Sequence, residues 1–307
     1  MTALTIIGTG RWPEHLANLL RNRGGIDARP INIRERGWAR QLLLGSGPVL
    51  RVGLRPGASN RNGRLFDAVW RAAVTLRRRS AAYYWIGTDV FDSVTNGDRV
   101  PKWALDSPHW VGAPWFADEL EPLGVAAENI WFPTEQPVLE RSSSLMPPGP
   151  FTVSAYVPAF NADLYGWGFL QKVADALPTI QFKIFGEGSE KLQAGRNVAL
   201  LGEVANGAAV IEQSHVHLRP TKHDALAGTV REALALSRYV GFSQPFDGVF
   251  AIDRSHPEST IEWLDELAAV NDHGGLAPNE LGRDALNRLF GDDQAIVAFV
   301  ERCRRLV

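Results

Sequence analysis

The chain has 307 residues, of which 45% are hydrophobic and 21% are charged, and its formal net charge is −2 at pH 7. This length and apolar content allow a large core and two domains. The near-neutral charge gives no general electrostatic reason to bind nucleic acid or an acidic membrane.

Cysteine content and hydropathy favour a cytoplasmic protein. The single cysteine, Cys303, excludes an intrachain disulfide framework and a multi-cysteine metal site, as expected in a reducing compartment. No apolar run approaches the roughly 20 residues that span a bilayer, and the first residues are typical of a strand. We therefore expect neither membrane crossing nor secretion.

The first half of the chain alternates between strand and helix patterns. Residues 4–7 are typical of a strand, Gly8 to Gly10 of a tight turn, and 13–20 of a helix with proline in its first turn. Further strands are predicted at 30–33, 49–54, 82–86 and 130–133, and further helices at 38–44, 65–76 and 111–120. This alternation predicts a parallel sheet and a first domain over residues 1–134.

Residues 135–150 are rich in serine and proline, which is typical of an interdomain linker. Beyond them, strands are predicted at 151–156, 181–185, 198–202, 215–220 and 239–242, and helices at 167–176 and 228–236. We expect a second domain over residues 151–280. Helices over 281–307 are expected to pack back on the first domain.

The segment 197–232 is the most informative about function. Its two predicted strands end at Gly202 and Pro220, and the helix after them begins near Gly228 or Thr229. In doubly wound sheets, ligands bind outside the carboxyl ends of the strands. We therefore expect a ligand site at this edge of the second sheet.

Two acidic residues, Asp224 and Glu232, are separated by seven residues at that edge, and Glu232 is expected in the first turn of the helix. A carboxylate there can accept sugar hydroxyls, while the free amides of the same helix end favour an anion. The layout fits a sugar nucleotide. In the alternative interpretation, Glu232 complements its helix dipole and Asp224 is an ordinary loop residue.

Five short motifs follow one another in the second half: Tyr165-Gly166, Phe185 to Gly188, Asn197-Val198 with Leu201-Gly202, Pro220 to Asp224, and Glu232 to Ala235. Their order and spacing resemble the donor-binding domain of GT-B retaining glycosyltransferases, most closely glycosyltransferase family four, also called the group 1 family. The resemblance covers residues 151–250. It extends more loosely to the first half, where 118–120 and 123–125 are similar to the family's helix and turn before the linker.

The resemblance implies roles for residues that match the motifs. Glu232 would bind the donor ribose. Asp224 stands where the family usually has a glutamate that addresses the transferred sugar, and its side chain is one methylene shorter. His223 could hydrogen-bond a phosphate or the sugar. Other donor contacts are expected from Gly186, Gly188, Gly202, Lys222, Gly228 and Thr229.

The family's diphosphate-binding lysine is absent, because the matching motif is Tyr165-Gly166. Positive charge normally stabilises the leaving diphosphate in a metal-independent glycosyltransferase. Another cation must therefore substitute, or activity must be low. The candidates are Arg219, Lys222 and Lys172, and we favour Arg219 because it ends a predicted strand next to Asp224. The alternative for Arg219 is a solvated residue or an ion-pair partner of Asp224.

Four residues of the first half are candidates for the acceptor side. Gly8 and Gly10 match the family's first glycine-rich loop, where a ligand approaches the backbone closely. Asp89 follows a predicted strand and either orients an acceptor hydroxyl or caps the next helix or turn. His109 is either an acceptor contact or a packed or surface residue.

Two other functions fit the sequence less well. Pro13 occupies the place of the third glycine in a dinucleotide fingerprint, so a nicotinamide-dependent oxidoreductase is a lesser alternative. A protein that binds a sugar nucleotide or glycan without turnover is another, because the lysine is missing. His215 and His217 alternate on one predicted strand but lack a third ligand at suitable spacing, so we expect no metal site.

The predicted helix 65–76 has a basic end, formed by Arg71, Arg77, Arg78 and Arg79, below a stripe of Leu65, Phe66, Val69, Trp70 and Val74. It could lie on an anionic membrane that carries a lipid-linked acceptor. Alternatively, it packs the stripe into the core and complements its dipole with the arginines.

We therefore predict an α/β protein with two Rossmann-like domains whose parallel sheets face an interdomain cleft. The expected activity is transfer of a hexosyl or related group, with retention, from a nucleotide sugar to a glycan, lipid-linked or small-molecule acceptor. No metal or other cofactor is expected besides the donor. The choice of base, sugar and acceptor depends on the shape of the pocket, and these motifs do not reveal it.

Overall fold

A computed structural model describes residues 3–58, 60–133 and 145–307 of the chain. The chain divides into two compact units, Met1–Glu135 with Asp292–Val307, and Gln136–Gly291. Each unit contains one six-stranded sheet. Most of the predicted linker, residues 135–144, lies outside the described residues.

The sheet of the first unit is parallel and has the strand order β2-β1-β3-β4-β5-β6. Its strands are β1 (Leu4–Gly8), β2 (Ala28–Asn32), β3 (Val49–Val52), β4 (Ala81–Trp85), β5 (His109–Val111) and β6 (Ala127–Asn129). The helices between them are α1 (Trp12–Gly24), α2 (Trp38–Leu44), α3 (Arg61–Leu76), α4 (Thr88–Thr95), α5 (Lys102–Leu105) and α6 (Trp115–Leu120).

The sheet of the second unit is also parallel, with the strand order β12-β11-β10-β7-β8-β9. Its strands are β7 (Thr152–Tyr156), β8 (Gln181–Phe185), β9 (Val198–Leu200), β10 (Val216–Arg219), β11 (Tyr239–Phe242) and β12 (Phe250–Ala251). Its helices are α7 (Trp167–Ala176), α8 (Gly207–Glu212), α9 (Gly228–Ala235), α10 (Glu258–Gly274) and α11 (Glu280–Phe290). The last helix, α12 (Gln294–Arg304), belongs to the first unit.

Each sheet is buried by its own helices. In the first unit every residue of β1, β3, β4 and β5 is buried, as a parallel sheet covered on both faces requires. Helix α12 contributes Ile296, Phe299 and Val300 to this core, together with Leu16 and Leu20 of α1. The helix before it, α11, packs on α9 in the second unit. Among the described residues, no helix has both the length and the hydropathy needed to span a bilayer.

Two predicted elements of the first unit are wrong. The helix predicted over 111–120 begins only at Trp115, because Val111 ends β5 and Pro114 disfavours helix in the residue before it. The strand predicted over 130–133 is instead β6, which pairs Ala127 with His109. Residues of β6 are half-buried or exposed, so the strand has no apolar run, whereas Ile130 beyond it packs into the core.

Candidate active site

The carboxyl ends of β7, β8 and β9 meet in a set of interlocked turns. The Val157 amide donates to the Phe185 carbonyl and the Gly186 amide to the Gly202 carbonyl, both at 2.8 Å. Gly186 has φ +142°, and a Cβ there would lie 2.8 Å from the Val157 backbone. Only glycine allows this approach, so Gly186 and Gly202 hold the carboxyl ends of these strands together.

A cavity of about 570 Å³ opens beside these turns. Gly188 and Gly202 form part of its wall, and Phe160, whose side chain is 68% exposed, lies at its rim. The lining includes three carboxylates and one lysine: Glu187, Glu190, Glu203 and Lys191. This charge balance disfavours a diphosphate, so the cavity suits the neutral part of a ligand.

Arg219 ends β10 and is only 6% exposed. Its Nε and Nη2 atoms donate to Oδ2 of Asp224 at 2.9 and 2.5 Å. The guanidinium carbon lies 4.6 Å from the ring centroid of Tyr165 and 5.5 Å from that of Tyr156, distances at which cation–π attraction is effective. Burial raises the pKa of Tyr156, so its phenol stays neutral beside the cation. Of the alternatives weighed for Arg219, pairing with Asp224 is the one observed.

The turn before α7 reaches Arg219 through a close backbone contact. Gly166 has φ +79°, and a Cβ there would lie 2.2 Å from the Pro220 carbonyl oxygen. The Lys222 amide also donates to the Leu164 carbonyl at 2.9 Å. These contacts place Tyr165 beside Arg219. The side chain of Lys222 forms an exposed ion pair with Asp163, while Lys172 lies exposed on α7.

Helix α9 begins at Gly228, and Glu232 is its fifth residue. The prediction that Glu232 lies in the first turn is therefore wrong: the first turn contains no acidic residue. The hydroxyl of Thr229 is buried and has no hydrogen-bond partner among the described residues. A Cβ on Gly228 would meet no atom within 4 Å, so the start of the helix has room for a ligand.

His223, Asp224 and Glu232 are each partly exposed. Asp224 lies five residues after the end of β10, and its bond to Arg219 fixes the loop that contains His223. The predicted donor residues thus occupy the ends of β8, β9 and β10 and the start of α9. Their contacts with a donor stay predictions.

Asp89, a candidate on the acceptor side, is the second residue of α4 and is 5% exposed. Its Oδ1 accepts hydrogen bonds from the amides of Ile86 and Gly87 at 3.0 and 2.9 Å. Burial raises the pKa of this carboxyl to about 6. Asp89 therefore stabilises the turn after β4, which is the structural alternative considered for it.

His109 lies in β5 and is 4% exposed. Its Nδ1 accepts from Trp85 Nε1 at 3.0 Å, its Nε2 donates to the Ala104 carbonyl at 2.9 Å, and Tyr83 stacks on the ring at 4.7 Å. Burial lowers its pKa to about 4, so the ring is neutral at pH 7. Both nitrogens are occupied, and the predicted acceptor contact is replaced by a packing role.

The remaining acceptor-side candidates, Gly8 and Gly10, lie at the end of β1 and in the turn before α1. His215 and His217 are fully buried on β10 or beside it. Burial lowers the pKa of His217 to about 3. Within the described part of the chain, no three histidine, cysteine, aspartate or glutamate side chains are grouped to hold a metal ion.

No family model and no curated protein matches the sequence. Solved structures match its fold. Anabaena Alr3699/HepE in complex with UDP-glucose has a TM-score of 0.69 and 10% identity, over 100% of both chains. Sucrose-phosphate synthase (tll1590) from Thermosynechococcus elongatus has a TM-score of 0.68 and 10% identity, over 100% of this chain and 99% of that one.

The fold is GT-B. The pneumococcal O-GlcNAc transferase GtfA in complex with UDP and GlcNAc is also similar, with a TM-score of 0.59 and 15% identity over 88% of this chain and 59% of that one. These neighbours are GT-B glycosyltransferases. The prediction of two Rossmann-like domains with parallel sheets is confirmed. At these identities the likeness establishes the fold alone, and membership of family four stays a prediction.

Two residues at the carboxyl edge of the second sheet were not predicted from the sequence. Tyr156 ends β7 and contacts Arg219, and its position as an aromatic residue at a strand end was the available signal. Ser189 is fully buried, and its hydroxyl accepts from the Gly202 amide at 3.0 Å. Nothing in the sequence distinguishes Ser189 from an ordinary turn serine.

Proposed function

We propose that this protein is a retaining glycosyltransferase whose second unit binds a nucleotide-sugar donor. The GT-B fold supports donor-dependent transfer, and the position of Arg219 carries the proposal. Its guanidinium lies over Tyr165, where the resemblance to family four places the diphosphate-binding lysine. An arginine from β10 would thus supply the charge that the neighbouring loop lacks.

Three parts of this edge would each bind a different part of the donor. The diphosphate would bind Arg219 and the free amides at the start of α9, where the unpartnered hydroxyl of Thr229 offers one further donor. The ribose would bind Glu232, which is one turn further along the helix. The cavity beside Gly188, with its carboxylates and the exposed ring of Phe160, would take the neutral base.

The proposed chemistry is electrostatic. The bond between the anomeric carbon and the diphosphate breaks, and Arg219 and the helix amides stabilise the charge of the departing oxygen. The acceptor oxygen bonds to the anomeric carbon on the face from which the diphosphate departs, its proton passes to the departing phosphate oxygen, and configuration is retained. Asp224 would contact the sugar and hold Arg219 in place through their hydrogen bonds. We propose no metal and no other cofactor for this step.

The same ion pair favours a second function. Asp224 already neutralises Arg219, and a neutralised guanidinium stabilises a leaving group less well. The protein would then bind a sugar nucleotide or a glycan without turnover. Release of free sugar from a bound donor, or transfer to an added acceptor, distinguishes the enzyme from the binding protein.

We further propose that the enzyme acts in the cytoplasm on a glycan, lipid-linked or small-molecule acceptor. The buried Cys303, whose pKa is raised by burial, fits a reducing compartment. A lipid-linked acceptor would bring the enzyme to the cytoplasmic face of a membrane.

A thermal-shift screen of nucleotide sugars tests donor binding. A donor at 100 times its Kd stabilises the native state by about 2.7 kcal/mol, and we expect at least one to do so. Glu232→Ala should remove the shift, whereas the control Glu266→Ala, at an exposed position on α10, should keep it. The absence of any shift across the screen would contradict the proposal.

A further inference from the structure

The inner face of α3 belongs to the core of the first unit. Phe66 and Trp70 are 5% and 1% exposed, and the Arg51 guanidinium lies 4.6 Å from the Phe66 ring. Arg51 also donates to Asp67 at 2.7 Å, so the only acidic residue of α3 is paired and buried. Phe66 and Trp70 of the predicted stripe therefore pack in the core, whereas Leu65 of the same stripe is exposed. If α3 touches a partner, it does so with its opposite face.

That outer face exposes two leucines. Leu65 is 60% exposed and Leu76 is 78% exposed. They lie 11 residues apart, which is three helical turns, so they share one side of α3. A third leucine, Leu44 at the end of α2, is 61% exposed. Single exposed leucines are common, but three on two adjoining helices form an apolar surface that no other described part of the chain covers.

The buried Arg79 brings the ends of α2 and α3 together. It is 7% exposed and follows α3. Its guanidinium donates to the Leu42 carbonyl at 2.9 Å and to the Gly47 carbonyl at 2.5 Å, on either side of the end of α2. Leu44 and Leu76 thus lie at two helix ends that one side chain connects. Arg79 is a structural residue and not part of a basic surface.

The exposed arginines surround these leucines. Arg61 lies one turn before Leu65, and Arg64 and Arg71 are two turns apart on the same side of the helix. Arg77 and Arg78 follow Leu76 and are also exposed. None of the five forms an ion pair with a carboxylate in residues 3–58, 60–133 or 145–307. The outer face is therefore positive although the whole chain has a net charge of −2.

We propose that Leu44, Leu65 and Leu76, with Arg61, Arg64 and Arg71, form a surface, the α2–α3 face, that docks the protein on an anionic phospholipid bilayer. Helix α3 has 16 residues and is about 24 Å long, enough to lie along the interface. Its leucines would enter the boundary between headgroups and acyl chains, and the guanidiniums would bind lipid phosphates. A nucleic acid would use the arginines but leave the leucines in water.

Vesicle co-sedimentation of the full chain tests this inference, with vesicles of phosphatidylcholine alone or with roughly one phosphatidylglycerol in three. We expect binding only to the anionic vesicles. Replacing Arg61, Arg64 and Arg71 together by glutamine should weaken binding about 100-fold. Replacing Arg29, Arg196 and Arg305 by glutamine makes the same charge change at other exposed positions and should alter binding less than about threefold.

Substitution of the leucines distinguishes a bilayer from a polyanion as the binding partner. Leu65→Ser with Leu76→Ser should weaken vesicle binding at least about tenfold, while the control Leu281→Ser with Val297→Ser, at exposed positions on α11 and α12, should not. If the protein binds duplex DNA as tightly as anionic vesicles, and the leucine substitutions do not change its binding to DNA, the inference is overturned in favour of a nucleic acid. Failure to bind anionic vesicles would overturn it outright. Vesicle binding needs no donor, so either result leaves the glycosyltransferase proposal standing.

Discussion

If Arg219 is the cation that binds the donor diphosphate, two substitutions in one ion pair should change diphosphate binding in opposite directions. Arg219→Gln removes the charge that attracts the phosphates. Asp224→Asn keeps a side-chain oxygen near Arg219 but removes the carboxylate that neutralises it. We therefore expect weaker binding of a nucleoside diphosphate in the first variant and tighter binding in the second.

The structure sets the size of each effect. Hydrogen bonds to a charged group contribute about 1.5–3 kcal/mol, so Arg219→Gln should weaken binding roughly 10- to 100-fold. A carboxylate about 6 Å from a phosphate repels it by about 1.4 kcal/mol at an effective dielectric constant of about 40, so Asp224→Asn should tighten binding roughly tenfold. The pair is 8% and 21% exposed, and breaking it should cost about 2 kcal/mol of stability in either variant. Stability therefore does not separate the two variants, whereas binding does.

Titration calorimetry with UDP, GDP and ADP measures these affinities without the sugar, so a sugar contact of Asp224 does not enter. Asp163→Asn is the matched control, because it releases Lys222 from its ion pair in the same way. Tighter binding in Asp163→Asn alone would assign the phosphates to Lys222. Unchanged binding in Arg219→Gln, or equally weakened binding in both variants of the pair, would refute the assignment to Arg219.

Two further changes test the packing behind the site. Gly166→Ala should destabilise the second unit by at least about 2 kcal/mol in urea unfolding, because φ is +79° and the new Cβ would lie 2.2 Å from the Pro220 carbonyl oxygen. The control Gly168→Ala should not destabilise it, because a Cβ there has no neighbour within 4 Å. The pKa of His217 falls from 6.5 to about 3 on burial, so its contribution is intact above pH 6.5 and is lost as the pH falls towards 3, by about 1.4 kcal/mol per unit. His217→Gln should therefore lose less thermal stability than the wild type between pH 7 and 4.5, whereas the exposed control His273→Gln should match the wild type.

Most elements of the second unit could be predicted from the sequence. The strands before Gly186 and Pro220 are short apolar runs, and the glycine or proline that follows each of them ends the strand. Strand β6 could not be predicted, because an edge strand with exposed side chains carries no hydropathy signal. The start of α9 was predicted near Gly228 or Thr229 and lies at Gly228, although its cap, Ala227, has no side-chain hydrogen bond. The error was to place Glu232, the fifth residue of this helix, in its first turn.

The candidate site was predicted in part. That Arg219 and Asp224 share one strand end followed from their five-residue separation, and the structure joins them directly. The contact of Arg219 with Tyr165 could not be predicted, because the two residues are 54 positions apart and lie on loops whose close approach requires Gly166. The packing role of His109 could not be predicted either, because a histidine between two bulky residues gives no sign of which ring nitrogens form hydrogen bonds.

If this edge binds a donor, Tyr165 and Arg219 together explain how it keeps a positive charge without the lysine that the resemblance to family four implies. A lysine side chain would be positioned only by the loop that carries it, whereas the Arg219 side chain contacts Asp224 and two tyrosine rings. Such a cation loses little side-chain entropy when a phosphate binds, which lowers the cost of binding. The same carboxylate that orients it also competes with the phosphate for it. On the proposed donor site, we therefore expect the balance between these two effects of Asp224, and not the charge of Arg219 alone, to set the affinity for the diphosphate.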